Sequence, residues 1–405
     1  MTEPVADASS QARVVFPEDR GLADLPRLFD REWVWSRYRR QFGADVPAPL
    51  QLRLGLVSQS IGKRALVSYT IEWSPDDCRP SEHVTLRIER DRPVELYRYP
   101  NDPYLPGLQM AAVPESAHQL VSRHVLNFPG RRLWVQRIRY RPGSRAVLRH
   151  RVGKVKLYAR VMRPAAVPVY FRAGELAVQS GFALPRVAGH WENGATIWLS
   201  EIPGRNMRRQ IRKGSVPDTT ALLDGLERLW NTAPIPRARP FNLPGLYYRA
   251  KRSIKNALKD DDQALKDLNH ATRQLDAFVK TWHPSALAHN DFYDDQMLVL
   301  PDGRISLVDF EETGAGDPLL DIGNFLAHLK WMFLFKRRGV DDASGAYHTT
   351  LREAALERFS WSARELDLRE AVCLFRVSTI AVRRPKPDWR ARLDEGLKLV
   401  NSTLG

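Results

Sequence analysis

Apolar and polar positions alternate along two early stretches of the chain, residues 50–73 and 82–90, and this period of two is typical of β-strands. Residues 61–63, Ile-Gly-Lys, supply a turn within the first stretch. Just before these stretches, residues 31–45 carry apolar side chains at the spacing of an amphipathic helix. The pattern therefore predicts a helix followed by a small antiparallel sheet.

A second β-rich block begins at residue 133. The pattern there predicts a hairpin over 133–152, a strand over 156–164, a helix over 169–181 and a strand over 196–204. Within this block, GSRAVLRH at 143–150 lines up with GKRALVSY at 62–69, so a glycine turn enters a strand in both places. Convergence of two ordinary hairpins and duplication of a β unit both explain the match.

The spacing of apolar residues becomes helical after residue 217 and stays so over most of the remaining chain. Residues 100–109, PNDPYLPGLQ, are rich in Pro and Gly and predict a linker. We therefore predict an α+β fold with an N-terminal β-containing extension, a small β-rich lobe and a large helical lobe. The predicted boundaries are 1–110, 111–204 and 205–405.

Composition adds few constraints. The chain has 405 residues, of which 43% are hydrophobic and 27% charged, and its apolar runs are shorter than the roughly 18 residues that span a bilayer. The first 20 residues lack the pattern of a signal peptide, and we expect them to form a frayed tail. Only two cysteines occur, Cys78 and Cys373, which fits a reducing compartment. We expect a cytoplasmic protein without a membrane partner.

The net charge of +15 points to an anionic ligand or to a solvated basic surface. Residues 137–163 hold ten Lys or Arg and no acid, and residues 204–213 hold five more. This basic face could hold nucleotide phosphates or an acidic peptide. No helix-turn-helix, RRM-like or zinc-finger pattern supports DNA or RNA binding, so nucleic acid is not expected as a partner.

Polar residues concentrate between two apolar runs in ALAHNDFYDDQMLVL, residues 286–300. Asp291 precedes Gln296 by five residues, and a turn and a strand over 305–312 then deliver Asp309. Phosphoryl transfer needs such a set, because one carboxylate orients the acceptor hydroxyl while other oxygen ligands hold Mg²⁺ against the ATP phosphates. Neither a G-x-S-x-G elbow nor a G-x-G-x-x-G fingerprint is present to favour a hydrolase or a dinucleotide enzyme.

Residues 286–329, ALAHNDFYDDQMLVLPDGRISLVDFEETGAGDPLLDIGNFLAHL, resemble the aminoglycoside phosphotransferase and choline kinase-like superfamily. That superfamily carries a His-Gly-Asp loop, an Asn five residues on, then a strand Asp, Gly-Asp-Pro and an Asp-led helix. The resemblance implies a two-lobed protein kinase-like fold that uses ATP and Mg²⁺. It assigns Asp291 as catalytic base, His289 as a structural member of the catalytic loop and Asp321 as its brace, with Gln296 and Asp309 as metal ligands.

The same resemblance assigns nucleotide-binding roles in the β-rich lobe. Arg160 stands where the family has a phosphate-binding lysine, and Glu175 is placed to pair with it unless it is simply exposed on its helix. Glu201 begins EIPG, which resembles the hinge between lobes. The nucleotide-covering hairpin would contain Arg141, Gly143, Ser144 and Arg145.

Three departures from the family pattern bear on activity. Asn290 replaces Gly, and Asn tolerates the backbone dihedrals that Gly supplies. Gln296 replaces Asn and keeps the amide oxygen on a longer arm. Arg160 replaces Lys, so a forked guanidinium would meet phosphate, with Lys154 and Lys156 as substitutes.

The sequence thus predicts an ATP- and Mg²⁺-dependent phosphotransferase acting on a hydroxyl-bearing substrate. A sugar or other small metabolite, an antibiotic, and a Ser or Thr of an acidic peptide remain open as acceptors. The alternative is a catalytically weak pseudokinase that binds nucleotide as a scaffold. Three further sets of charges are predicted to lie away from the nucleotide: Asp294 and Asp295 as solvated carboxylates, Asp317 as a helix or turn brace, and Arg208, Arg209 and Arg212 as an exposed basic patch.

Overall fold

The computed structural model describes residues 19, 21–128, 130–215, 217–232, 238–334 and 343–405. The predicted frayed tail lies outside these residues, apart from residue 19. Within the described residues, no helix is long and apolar enough to cross a membrane.

The N-terminal unit is one helix packed on a four-stranded antiparallel meander. Its elements are a 3-10 turn at Leu25–Phe29, α1 (Arg31–Phe42), β1 (Gln51–Ser60), β2 (Arg64–Glu72), β3 (Glu82–Glu89) and β4 (Glu95–Arg98), with strand order β1-β2-β3-β4. The Asp30 carboxylate caps α1 by accepting from the N–H groups of Glu32 and Trp33. Val34 and Tyr38 of α1 are buried against the sheet, as the amphipathic pattern predicts.

Two short helices, α2 (Leu108–Ala112) and α3 (Pro114–His124), join this unit to the next. The sequence pattern missed them because they follow the Pro- and Gly-rich segment, although Pro114 at the first position of α3 is itself a helix-start signal. The predicted boundary at residue 110 falls inside α2.

The β-rich lobe is a five-stranded antiparallel sheet with one helix. Its elements are β5 (Leu133–Arg141), β6 (Arg145–Val152), β7 (Val155–Met162), a 3-10 turn at Pro164–Ala166, α4 (Val167–Ala177), β8 (Val187–Trp191) and β9 (Thr196–Ser200), in the order β5-β6-β7-β9-β8. The sequence pattern did not predict β8. This strand contains Gly189, where no larger residue fits, because a Cβ atom there would lie 2.3 Å from the carbonyl oxygen of His124. Gly62 and Gly143 both have positive φ at the turns that enter β2 and β6, as the matched segments predict.

The third part is the helical lobe. Its helices are α5 (Met207–Arg212), α6 (Thr219–Trp230), α7 (Leu243–Ala257), α8 (Asp262–Thr281), α9 (Pro318–Leu334), α10 (Ala343–Phe359), α11 (Ala363–Arg383) and α12 (Trp389–Leu404). Its short strands are β10 (Arg205–Asn206), β11 (Ala286–Ala288), β12 (Met297–Val299), β13 (Ile305–Leu307) and β14 (Gly314–Gly316), with a 3-10 turn at Asp294–Gln296 before β12. They form two small sheets, β10-β12-β13 and β11-β14, that carry the polar loops. The predicted α+β, two-lobed protein kinase-like fold with an N-terminal β extension is confirmed.

The N-terminal unit and the segment after it contact both lobes. The Asp102 carboxylate accepts from the N–H of Gly143, at 2.7 Å, and from the hydroxyl of Tyr140, at 2.9 Å, at the tip of the β5–β6 hairpin. At the other end, Ile61 packs against the core of the helical lobe, and β1 contacts α11. The extension is thus attached on either side of the cleft between the lobes.

Candidate active site

The loop between β11 and β12 is fixed by one buried carboxylate. Asp321, on the first turn of α9, accepts hydrogen bonds from the backbone N–H groups of His289, at 2.8 Å, and Asn290, at 2.7 Å, and from Nε1 of Trp230, at 3.0 Å. Burial raises the pKa of Asp321 to about 7 although these three donors oppose the shift. Asp321 therefore braces the loop, as predicted.

Asn290 makes the sharp turn in this loop. Its φ is 67°, in the left-handed region that favours Gly and Asn. Its side-chain Nδ2 also donates to the carbonyl oxygens of Glu312, at 3.0 Å, and of Ala288, at 3.3 Å. Asn290 thus adopts the positive φ that this turn requires, and its side chain connects the loop to the segment before β14.

We expect the two contributions of Asn290 to separate by mutation. Asn290→Gly removes the side-chain hydrogen bonds but keeps an easy positive φ, whereas Asn290→Ala also forces alanine into the left-handed region. Chemical unfolding of both variants should show Asn290→Ala less stable than Asn290→Gly by about 1 kcal/mol. Equal stabilities would mean that the loop relaxes out of the observed conformation.

Asp291 follows this turn beneath the cleft. Its Oδ2 accepts from Nε2 of Gln296 at 2.8 Å, which orients the carboxylate. Burial raises the pKa of Asp291 to about 6, while the charge of Arg376 opposes that shift. A carboxylate with such a pKa is suited to accept a proton near neutral pH.

His289 has its ring enclosed behind the loop. Burial lowers its pKa to about 4, so the imidazole is neutral at pH 7. In the neutral form, Nε2–H donates to the carbonyl oxygen of Asp309 at 3.0 Å, and Nδ1 accepts from the N–H of Asp291 at 3.4 Å. His289 thus links the two acidic segments.

Gln296 and Asp309 supply oxygen atoms on the same side of the cleft. Oε1 of Gln296 is buried and has no hydrogen-bond partner in the described part of the chain. The Asp309 carboxylate, which follows β13, instead accepts from Arg145 at 2.8 Å and from Arg160 at 3.3 Å. Although burial acts to raise it, the charges of Arg160 and Arg145 hold the pKa of Asp309 below its ordinary value. No group of three or more His, Cys, Asp or Glu among the described residues is arranged to hold a metal ion.

The predicted pairing of Arg160 with Glu175 is wrong. Arg160, on β7, is buried and pairs with Glu311 and Asp309, and its guanidinium lies 5.3 Å from the centre of the Tyr170 ring. Glu175 is exposed, because α4 turns Tyr170 toward the sheet and places Glu175 on its outer face. Glu311, two residues after Asp309, therefore acts as the counter-ion of Arg160. The sequence signal for it was the second acid in DFEE.

The β5–β6 hairpin brings only one of its four predicted residues to Asp309. Arg145 points inward to Asp309 and Glu311, whereas Ser144 is exposed. Gly143 is buried against the N-terminal extension through Asp102. Arg141 is half-buried, and burial followed by the charges of nearby arginines lowers its pKa to about 10.

A cleft of about 340 Å³ lies between the two lobes and opens beside these groups. Its apolar wall is suited to a flat aromatic base, and its polar end carries arginine, carboxylate and amide groups. The lining includes Ile138, Val147, Tyr158, Leu199, Ile202, Leu298 and Val308 on the apolar side and Arg139, Arg145, Arg160, Tyr293, Gln296 and Asp309 on the polar side.

The predicted hinge begins at Glu201, and the residues on either side of Glu201 border this cleft. Ser200 and Ile202 line the cleft, but the Glu201 side chain pairs with Lys156 at 2.9 Å. Lys154 is exposed in the β6–β7 turn. Neither lysine reaches Asp309, so they do not substitute for the residue at position 160.

Two predicted surface charges are in fact paired in the interior. Asp294 is fully buried and accepts two hydrogen bonds from Arg208, at 2.9 and 2.7 Å, so it is not a solvated carboxylate. Arg208 is consequently held beside the catalytic loop and is not part of an exposed patch. Asp317 accepts from Nε1 of Trp282 and Nε of Arg369, both at 3.0 Å, and braces the start of α9.

Comparison with solved structures gives several matches of low identity. A choline/ethanolamine kinase family protein from Mesorhizobium loti is 18% identical, with 73% of this chain and 92% of that chain covered and a TM-score of 0.45. An aminoglycoside phosphotransferase from Streptomyces rimosus is 16% identical, with 60% and 91% covered and a TM-score of 0.43. A choline kinase from Streptococcus pneumoniae is 12% identical, with 71% and 98% covered and a TM-score of 0.46.

A search of curated proteins finds no match. A sequence profile described as the phosphotransferase enzyme family matches residues 137–360, which is more than half of the chain. The matched segment begins in β5 and ends just after α10, and it contains both the catalytic loop and the cleft.

Proposed function

Because this chain belongs to the phosphotransferase enzyme family, we propose that it transfers the γ-phosphoryl group of ATP, in the presence of Mg²⁺, to a hydroxyl group of an acceptor. The observation that supports this most is the placement of the Gln296 amide and the Asp309 carboxylate at the polar end of the cleft, with the Asp291 carboxylate hydrogen-bonded to that amide. An apolar wall for the base and a polar end for the phosphates fit a nucleotide.

Asp291 is the proposed proton acceptor. Its carboxylate is held by Nε2 of Gln296, and His289 and Asp321 fix the backbone on which it sits. A base oriented before the acceptor arrives has little freedom to lose when the reaction begins, which favours transfer. The acceptor hydroxyl would give its proton to Asp291 as its oxygen attacks the γ-phosphorus, and ADP would leave.

Mg²⁺, when bound, would be held by Oε1 of Gln296 and the carboxylate of Asp309, and it would neutralise phosphate charge. The residues fit such an ion, because both are hard oxygen donors and a buried amide oxygen without a partner is costly to leave unsatisfied. Arg145 and Arg160 already contact Asp309, so these guanidiniums lie where phosphate oxygens would meet them. Arginine suits that task because its fork matches phosphate geometry.

The pKa of Asp291 sets the expected pH dependence. The base works only as a carboxylate, so kcat/KM should be constant above pH 6 and fall about tenfold per pH unit below it. His289 stays neutral across this range because its pKa is about 4, so its titration does not contribute to the fall in kcat/KM. Initial rates between pH 5 and 8, with ATP binding measured at each pH as a control for folding, test this. A flat profile down to pH 5 would remove Asp291 as the base.

A nucleotide-binding scaffold is the second candidate. It is favoured by one observation: both Arg145 and Arg160 contact Asp309, which leaves that carboxylate less available to a metal. Incubation with γ-labelled ATP, Mg²⁺ and a panel of neutral, cationic and anionic hydroxyl compounds separates the two. Label in an acceptor supports the phosphotransferase, whereas ATP binding without transfer to any acceptor supports the scaffold.

A further inference from the structure

Seven arginines on neighbouring elements form no ion pair with a carboxylate within the described part of the chain, although the charge of Glu89 acts on Arg64 and that of Arg376 acts on Asp291. They come from β2, β5, α7, α11 and the residue that follows α11, and we refer to them as the arginine cluster: Arg64, Arg139, Arg141, Arg249, Arg376, Arg383 and Arg384. Elsewhere in the site, the arginines are neutralised: Arg145 and Arg160 face Asp309 and Glu311, and Arg208 faces Asp294.

The fold itself brings these arginines together. Packing of Ile61 on the helical core and contact of β1 with α11 set Arg64, the first residue of β2, near the end of α11. Arg376 and Arg383 are seven residues apart on α11, which is close to two helical turns, so they lie on one face. Two chain segments that are distant in sequence, β2 and α11, thus supply positive charge to one place.

The arginine cluster is continuous with the catalytic loop. Burial raises the pKa of Asp291, and the positive charge of Arg376 opposes that shift. Arg139 and Tyr293 both line the cleft, and burial followed by the charge of Arg139 lowers the pKa of Arg384. The cluster therefore runs from the proposed base to the mouth of the cleft.

Each of these residues keeps part of its surface exposed. Arg139, Arg249, Arg383 and Arg384 are exposed, and Arg64, Arg141 and Arg376 are partly exposed. Burial, followed by the charges of Arg384, Arg249, Arg376 and Arg64, lowers the pKa of Arg383. Like charges held this close repel one another and reduce stability unless an anion joins them.

We propose that the arginine cluster binds an anionic group of the acceptor, and that the acceptor is a small hydroxyl compound carrying a phosphate group. This rests on the proposed phosphotransferase function. A phosphate monoester offers a double charge and several oxygens to guanidinium forks, and so it matches a cluster of seven arginines better than one carboxylate does. Cationic acceptors would be repelled from the same place.

Inorganic phosphate is the probe for this site. The nucleotide cleft is first filled with a non-hydrolysable ATP analogue and Mg²⁺, and phosphate is then titrated by calorimetry at constant ionic strength, with chloride as the balancing ion. We expect saturable phosphate binding that chloride does not reproduce. The variant Arg383→Gln/Arg384→Gln should weaken it by about tenfold or more, which is the loss expected for one or two charge-assisted hydrogen bonds.

A control and a second readout keep the test specific. Arg273→Gln removes an exposed arginine from α8, outside the arginine cluster, and should leave phosphate affinity unchanged. Relief of repulsion should also raise the melting temperature of the double variant without phosphate, whereas Arg273→Gln should not. Phosphate binding no better than chloride, or equal affinities in the double variant and the control, overturns the inference.

The proposed phosphotransferase function and the proposed anionic acceptor can be refuted independently. Absence of nucleotide-analogue binding would count against the phosphotransferase, and phosphate titration without nucleotide then still decides the fate of the arginine cluster. Binding of the analogue without phosphate binding removes the anionic acceptor but leaves the phosphotransferase in place. In the transfer assay, the same proposal expects glucose 6-phosphate to be a better acceptor than glucose, and a preference for the uncharged sugar contradicts it.

Discussion

Asp291→Asn is expected to lower kcat by about 10²–10⁴-fold, the range that a positioned general base contributes. The substitution keeps the shape of the side chain and an oxygen that can accept from Gln296, but it removes the group that takes the proton. ATP affinity should change little, because Asp291 lies below the cleft and is not among the residues that line it. Single-turnover transfer of labelled phosphate and a separate nucleotide-binding titration measure the two quantities.

The matched control is Asp302→Asn, the same chemical change in an exposed turn where Asp302 pairs only with Arg304. It should keep wild-type turnover and folding. If Asp291→Asn keeps a kcat within a few-fold of that control, another group accepts the proton.

Asp309→Asn is expected to lower turnover by about 10²–10³-fold, comparable with the loss of one electrostatic stabiliser in an enzyme site. Its cause differs from that of Asp291→Asn, because it removes a proposed Mg²⁺ ligand and half of the counter-charge of Arg145 and Arg160. The remaining Glu311 should keep both arginines in place, so the fold should survive. The variant should also need more Mg²⁺ to reach half of its maximal rate.

Rates measured across a series of Mg²⁺ concentrations test this. Glu357→Gln on α10 is a matched carboxylate-to-amide change at an exposed position and should show the wild-type Mg²⁺ dependence. An unchanged Mg²⁺ requirement in Asp309→Asn would show that the ion is held by other groups, and the ligand assignment would then be wrong.

Local sequence was informative where the chemistry lies on one continuous segment. The distances along the chain from His289 to Asp321 correspond to a loop, a hairpin and a helix start, and these elements fold in that order. The positive φ of Asn290 was also predictable, because few residues other than Gly and Asn adopt it readily. These features depend on neighbours in sequence.

Partners from different elements were harder to predict. Periodicity placed Glu175 on a helix but did not say which face of α4 meets the sheet, and that face carries Tyr170. The pair of Arg208 and Asp294 joins residues 86 positions apart, and no local signal marks it. Asp102 lies in a Pro- and Gly-rich segment that predicts only a linker, although its carboxylate holds the tip of a distant hairpin.

The two attachments of the N-terminal extension bear on how nucleotide is exchanged. In kinase-like enzymes the lobes move apart to admit substrate and release product. Here the extension contacts the β5–β6 hairpin through Asp102 and the helical lobe through Ile61, so it bridges the two lobes across the cleft. Widening of the cleft would act against the Asp102–Gly143 hydrogen bond and against the packing of Ile61 on the helical lobe. Under the proposed function, release of ADP would therefore depend on contacts made by a segment more than a hundred residues removed in sequence from the reacting groups.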